Sequence, residues 1–79
     1  MEVIKFKTNV ENEEAISRVA PFLDNEESIS RWHIDTESRD KLMSVSGTDL
    51  NPQQIENVVK QAGFKAEIIR VIGINGKDL

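Results

Sequence analysis

Hydrophobic and polar positions along this 79-residue chain change their spacing several times, and each spacing predicts a different element. Val3, Ile4 and Phe6 stand among lysines and predict a first strand within residues 1–8. A first helix follows, because apolar residues recur at the i, i+3, i+4 and i+7 spacing of one helical face. Those residues are Ile16, Val19, Ala20 and Leu23.

Polar residues mark how this helix begins and ends. Asn12 is a predicted N-cap, and Glu13 and Glu14 follow where carboxylates favour the helix dipole. Pro21 lies inside the pattern and lacks the N–H that would bond back to Ser17. The last turn is therefore predicted to be kinked or tightened.

The pattern after the first helix predicts a second strand, a third strand, a second helix and a fourth strand, in that order. Ile29, Trp32 and Ile34 mark the second strand, and their change of phase indicates a bulge. After a charged turn at residues 36–40, Leu42, Met43 and Val45 form a third strand that stops at Gly47. The second helix is predicted to start at its cap Asn51 with Pro52 first, and to end at Gly63, before a strand over residues 64–72. Its apolar face is Ile55, Val58, Val59 and Ala62.

The two halves share a register, because a shift of 39 places superposes their patterns. Asn12 then falls on Asn51, and Ile16 falls on Ile55. Two interleaved βαβ units predict an α+β ferredoxin-like βαββαβ sandwich. Right-handed crossovers would place both helices on one face of a four-stranded antiparallel sheet.

Length and charge restrict the alternatives. The chain is long enough for one domain, residues 1–79, with a core over about 1–72 and a frayed tail at 73–79. Residues 11–40 hold nine acidic and three basic side chains in a chain of net charge −4. With no concentrated basic patch, we expect no nucleic-acid binding. Neither an apolar span nor a leader is present, so we expect a cytoplasmic protein that does not enter a membrane.

Several short stretches, in order and spacing, resemble the heavy-metal-associated (HMA) domain of copper chaperones and metal-transporting ATPases. They resemble small stand-alone bacterial members most. The stretches begin with residues 5–9 and the Val19-x-Pro21-Phe22-Leu23 segment, and continue with Ile29-x-x-Trp32-x-Ile34-Asp35, Val45-x-Gly47 and Ala62-Gly63-Phe64-x-Ala66-Glu67.

The resemblance implies a soft-metal site in the loop from Val10 to Glu14 and beside the corner at Phe64 and Lys65. The family pattern there is Met-x-Cys-x-x-Cys, whose two thiolates hold a copper(I)-like ion. Asn12 and Ala15 occupy the two cysteine positions, and the chain contains no cysteine at all. Thiolates select soft ions, so we predict neither a metal site nor a cofactor here.

Other residues have both a structural and a functional interpretation. Asn12 is predicted to be a cap rather than a ligand. The carboxylates of Glu11, Glu13 and Glu14 fit dipole partners better than a calcium site, which needs six to eight oxygens. Lys65 could form an ion pair with Glu11 or Glu14 in place of the metal's charge.

The aromatic residues and the single histidine are interpreted in the same way. His33 is expected on the open sheet face, without a second imidazole to share a metal. Phe6 and Phe64 are expected to pack in or against the core. Trp32 is either a core anchor or part of a recognition surface, and core packing is favoured, with its indole N–H reaching a partner or water.

The sequence contains no recognisable set of catalytic residues, so we predict that the chain is not an enzyme. No cysteine nucleophile, phosphate-cradling glycine loop or Ser–His–carboxylate order is present. Acylphosphatases and RNA-binding domains share the predicted fold. The first requires an arginine in the first strand-to-helix loop, and the second requires aromatic residues on the two central strands. Phe6 is the one aromatic residue there, and the core is expected to contain it.

The sequence therefore predicts an HMA-like domain that has lost thiolate metal binding and serves as an interaction or regulatory module. A protein partner would bind at the Val10–Glu14 loop or at an exposed sheet edge, and the chain would be a monomer or weak homodimer. The alternative keeps metal handling through Glu11, Glu13, Glu14 or His33, or through ligands shared with a partner. An orphan domain without any ligand is a third possibility.

Overall fold

The structure, a computed structural model, describes residues 2–73 and contains four strands and two helices. They are β1 (Glu2–Thr8), α1 (Glu13–Asp24), β2 (Ile29–Ile34), β3 (Met43–Gly47), α2 (Pro52–Gln61) and β4 (Ala66–Gly73). The strands form one antiparallel sheet in the order β2-β3-β1-β4, which confirms the ferredoxin-like fold. Of the tail predicted at residues 73–79, residues 74–79 lie outside the described residues, and Gly73 is the last residue of β4 rather than part of a tail.

Both helices pack on one face of the sheet, where alternate strand residues meet the apolar helix stripes. The largest side chains with less than 2% exposure include Phe6, Ile4, Leu23, Met43 and Ile55. Thr8 is the one polar residue among the buried side chains of the described chain. Trp32 and Phe64 pack against this core while remaining half-buried, as predicted.

Side-chain caps start both helices. The Oδ1 of Asn12 accepts a hydrogen bond from the N–H of Ala15, and the Oδ1 of Asn51 accepts from Gln53 and Gln54. Pro21 lies inside α1, and beyond it the N–H of Glu26 bonds to the carbonyl of Leu23 in a tightened turn. Within residues 2–73, no helix is both long and apolar enough to cross a lipid bilayer.

The predicted bulge and turn residues are confirmed. The pairing of β2 with β3 shifts register between Ile29 and Arg31, and a second irregularity interrupts the pairing of β1 with β4. Gly63 has a φ of 94°, the left-handed conformation that ends α2 and turns the chain into β4.

The opposite face of the sheet is not covered by either helix and is mostly polar. Strand alternation places polar and charged side chains there, all exposed or half-buried, and we call this surface the open sheet face. It is formed by Lys5, Lys7, Arg31, His33, Ser44, Ser46, Glu67 and Arg70, together with the apolar Val3 and Ile72. Basic residues far apart in sequence meet there on neighbouring strands, with Glu67 opposite Lys7 and with Asp40 at 3.9 Å from the Lys7 ammonium group.

Replacing Gly47 with alanine should destabilise the domain. A Cβ at this position would collide with the backbone carbonyl of Ser28 and lie 2.8 Å from Cδ2 of Leu50. A carbonyl fixed by the N–H of Thr48 cannot move cheaply. We expect Gly47→Ala to lower the free energy of unfolding by about 1–3 kcal/mol in urea denaturation.

The neighbouring Ser46→Ala, on the open sheet face, is the control and should change stability by less than about 0.5 kcal/mol. Equal stabilities for the two variants would show that the close approach at Gly47 is absent.

Candidate functional site

The candidate site is the Val10–Glu14 loop, which leads from β1 into the first turn of α1, together with the Phe64 corner, residues 63–65, which connects α2 to β4. The local sequence sets the bounds of the loop, because β1 ends at Thr8 and Asn12 caps the start of α1. Val10 anchors the loop from below, because its side chain is fully buried in the core.

The hydroxyl of Thr8 fixes the start of the loop through two hydrogen bonds. It donates to the carbonyl of Lys41 at 2.6 Å and accepts from the N–H of Val10 at 3.2 Å. The backbone N–H of Thr8 also bonds to the carbonyl of Asp40, at 3.1 Å. The Thr8 side chain, which is 8% exposed, therefore holds together the end of β1, the loop and the turn before β3.

Asn9 ties the loop to the Phe64 corner. Its Oδ1 accepts from the N–H of Lys65 at 2.8 Å, and its own N–H reaches the carbonyl of Lys65 at 3.4 Å. The two residues are 56 positions apart, so this reciprocal pair closes the site across the sheet end.

Asn12 and Ala15, which stand where the resemblance places cysteines, are hydrogen-bonded to each other. The Oδ1 of Asn12 accepts the N–H of Ala15 at 2.8 Å, and the carbonyl of Asn12 accepts the N–H of Ile16 at 3.0 Å. Asn12 is exposed and Ala15 is buried. The Asn12 side chain is thus an N-cap, as predicted, and its oxygen already has a partner inside the protein.

A shallow hollow of about 250 Å³ lies over these two positions. It is lined by Asn9, Glu11, Asn12, Glu14, Ala15, Arg18 and Phe64. The Phe64 ring also borders a larger cleft of about 820 Å³ between α2 and the ends of β1 and β4, where Lys7, Lys60 and Lys65 lie. The Phe64 ring thus borders both depressions.

The charge pairing at the loop differs from the one predicted. Glu14 pairs with Arg18 one turn along α1, with 3.1 Å between Oε1 and Nη2. Within residues 2–73, no ion pair joins Lys65 to Glu11 or Glu14, so that hypothesis was wrong. The reason is geometric: residues i and i+4 are neighbours on a helix, while the Lys65 backbone is held by Asn9.

The remaining candidates do not assemble into a metal site. Among residues 2–73, no group of three or more His, Asp or Glu side chains is placed to hold an ion. Glu13 and His33 border one shallow groove of about 330 Å³ beside Trp32. The indole N–H of Trp32 donates to Oδ1 of Asp24 at 2.8 Å, which gives it a structural role.

Sequence reasoning missed Thr8, Asn9 and Arg18 as site residues. Thr8 continues the buried alternation of Ile4 and Phe6, so a polar residue at this position was a readable signal of a buried hydrogen bond. Arg18 stands four places after Glu14 and was likewise readable. The contact from Asn9 to Lys65 depends on the sheet register and has no local signal.

Comparisons with known proteins give the fold. No protein-family model matches the sequence, and no curated protein sequence does. Solved structures do match. The CsoZ metallochaperone is 25% identical, with a TM-score of 0.68, over 87% of this chain and 99% of that one. A copper-binding domain of HMA7, a P-type ATPase, is 19% identical, with a TM-score of 0.74, over 87% and 95%.

The first domain of the human copper chaperone for SOD1 is 17% identical, with a TM-score of 0.71, over 84% of this chain and 89% of that one. The fold is therefore that of HMA domains of copper chaperones and P-type ATPases, as the resemblance implied. These neighbours are metallochaperone or metal-binding domains. The present chain shares their framework and has no cysteine.

Thr8→Val should loosen the loop, because it leaves the buried N–H of Val10 and the carbonyl of Lys41 without their partner. We expect the free energy of unfolding to fall by about 1–3 kcal/mol, measured by urea denaturation. Thr48→Val, at an exposed position, is the matched control and should stay within about 0.5 kcal/mol of the parent. A Thr8→Val variant as stable as this control would contradict the anchoring role.

Asn12→Ala should remove the cap of α1 and cost about 1 kcal/mol of stability, since the N–H of Ala15 loses its acceptor. Asn12→Ser keeps a capping oxygen and should retain most of the stability. Thermal and urea denaturation measure both variants. An alanine variant no less stable than the serine variant would show that the side chain does not cap the helix.

Proposed function

We propose that this chain is a copper-chaperone-like HMA domain that has lost its thiolate metal site and serves as a non-catalytic interaction or regulatory module of the cytoplasm. The observation that carries the proposal is the hydrogen bond from the N–H of Ala15 to Oδ1 of Asn12. At the two positions where the resemblance places metal ligands, the chain has a helix cap and a methyl group.

The donor chemistry supports the loss of metal binding. A soft ion such as Cu(I) selects thiolate or thioether sulfur, and the hollow is lined by amide, carboxylate and guanidinium groups with an aromatic ring. The Asn12 oxygen is already used by Ala15. The Glu14 carboxylate is paired with the positively charged Arg18, which disfavours a cation at this place.

The loop also needs no ion to keep its shape. Hydrogen bonds from Thr8, Asn9 and Asn12 hold its beginning, its contact with the Phe64 corner and its transition into α1. A loop with a fixed shape loses little conformational entropy when it contacts another protein. This favours a recognition role for the Val10–Glu14 loop with Phe64.

A second contact surface is the outer edge of β4. Ile68 and Ile69 are 38% and 53% exposed there, unusual for such large apolar side chains. Edge strands with exposed apolar residues accept a strand from a partner. The carboxylate of Glu56 accepts a hydrogen bond from the N–H of Ile68 at 3.1 Å, so one backbone donor of this edge already has an acceptor. Strand addition would have to displace this carboxylate.

Restoring sulfur tests the proposal. In a Cu(I) titration against a chromogenic competitor, the parent protein should leave the competitor's complex intact. The double variant Asn12→Cys with Ala15→Cys should withdraw one Cu(I) per chain, because two thiolates would then lie one helical turn apart on the preserved loop.

The single variants are the controls, and each should bind Cu(I) much more weakly than the double variant. Amide spectra of the metal-free forms check that the fold is retained. One-to-one copper or zinc binding by the parent, in competition, would overturn the proposal and favour metal handling through oxygen or imidazole ligands.

A further inference from the structure

One carboxylate oxygen on the helical side of the domain has no partner. The Oε2 atom of Glu26 is shielded from solvent, and within residues 2–73 no hydrogen-bond donor reaches it. Ion pairs join Lys7 to Asp40 and Arg18 to Glu14, and neither involves Glu26. Taking a carboxylate oxygen out of water without a donor costs stability, so this arrangement calls for a reason other than folding.

Glu26 lines a cleft of about 380 Å³ between the C-terminal end of α1 and α2. Small-ligand sites typically enclose roughly 300–1,000 Å³, and this cleft falls in that range. The other residues of its wall are Pro21, Phe22, Asn25, Gln54, Val58 and Gln61. All six are uncharged, so Glu26 carries the one formal charge of the wall and no basic side chain of the wall neutralises it.

The end of α1 adds to the negative potential at this cleft. A helix C-terminus carries a partial negative charge that a basic side chain in the last turn stabilises. The last turn of α1 contains no basic residue, and the carboxylates of Asp24, Glu26 and Glu27 follow one another closely there. Arg18, the basic residue of α1, pairs with Glu14 toward the opposite end. This end of the domain therefore attracts a cation.

The wall of the cleft selects a planar cation. The Phe22 side chain is 39% exposed and offers an aromatic face, on which guanidinium groups stack. A guanidinium also pairs with a carboxylate through two parallel N–H bonds, and it enters a cleft more easily than an ammonium group because it is more weakly hydrated. The amide oxygens of Asn25, Gln54 and Gln61 can accept its remaining N–H groups.

A metal ion fits the cleft less well than a guanidinium. Calcium takes six to eight oxygen ligands, and among residues 2–73 no group of three His, Asp or Glu side chains is placed to hold an ion. The shielded oxygen of Glu26 is no obstacle to an organic cation. Rotation about χ3 exchanges the two carboxylate oxygens, because that torsion is broad and two-fold. A guanidinium in the cleft can therefore meet both oxygens.

We propose that this cleft binds an arginine side chain of a partner protein, whose guanidinium pairs with the Glu26 carboxylate and stacks on the Phe22 ring. The two ends of α1, a helix of 12 residues, lie about 18 Å apart, so the cleft is separate from the Val10–Glu14 loop. The inference goes beyond the proposed function, and the failure of either leaves the other standing.

A titration with three peptides tests the inference. Each is a seven-residue glycine–serine peptide, blocked at both ends, with arginine, lysine or the neutral isostere citrulline in the middle. The arginine peptide should shift the amide signals of Phe22, Glu26 and Val58 in ¹⁵N-labelled protein. It should bind at least about fivefold more tightly than the citrulline peptide, because the charge pair is missing there, and more tightly than the lysine peptide.

Two neighbouring carboxylates provide matched variants with equal loss of charge. Glu26→Gln should weaken the arginine peptide at least about fivefold, while Glu27→Gln, at an exposed position, should stay within about twofold of the parent. Phe22→Leu keeps an apolar side chain without a ring face and should weaken binding about threefold. The Asn12→Cys with Ala15→Cys variant should bind the peptide like the parent.

Urea denaturation separates recognition from a structural role of Glu26. Because Oε2 of Glu26 has no partner in the free protein, Glu26→Gln should leave the denaturation midpoint unchanged or raise it. A lowered midpoint would assign the carboxylate to an internal contact and would overturn the inference.

The titration itself can also overturn the inference. Contradicting results are an absence of shifts at the cleft, equal binding of the arginine and citrulline peptides or of the arginine and lysine peptides, and equal weakening by Glu26→Gln and Glu27→Gln. Two peptide-free results would assign the cleft to another occupant. Shifts at Phe22 and Glu26 caused by Lys77→Gln would point to the chain's own last residues, and shifts that depend on protein concentration would point to a second copy.

Discussion

One buried hydroxyl holds together the end of this domain that contains the candidate site. Thr8 is the last residue of β1, and its side chain connects the strand to the carbonyl of Lys41 and to the N–H of Val10. These polar groups lie where water has little access, so their pairing is required. Because Val10 is fully buried, the hydroxyl also fixes the direction in which the chain leaves the sheet toward α1.

Two further side-chain oxygens complete the loop. The carboxamide of Asn9 holds the backbone of Lys65, and that of Asn12 caps α1 at Ala15. Three neutral oxygen atoms thus order the loop in which the sequence resemblance implies a thiolate site. A protein can keep such a framework without its metal when its own polar groups satisfy the loop.

The fold could be predicted almost entirely from the sequence, because its signals are local. Asn12, Asn51 and Pro52 mark helix starts, Gly63 marks a helix end, and the phase change at Ile29–Trp32 indicates the bulge. The site was less predictable. The Asn9–Lys65 contact and the set of residues on the open sheet face need the register between strands, which no local pattern contains. The ion pair assigned to Lys65 was wrong because proximity in a family framework does not fix the direction of a long side chain.

Amide hydrogen exchange of the metal-free protein in excess chelator tests the central claim most directly. The account predicts that the amides of Val10, Ala15 and Lys65 exchange slowly, and that added Cu(I) does not slow them further. Exchange of these three amides at the rates of an unstructured chain, followed by protection when Cu(I) is added, would contradict it.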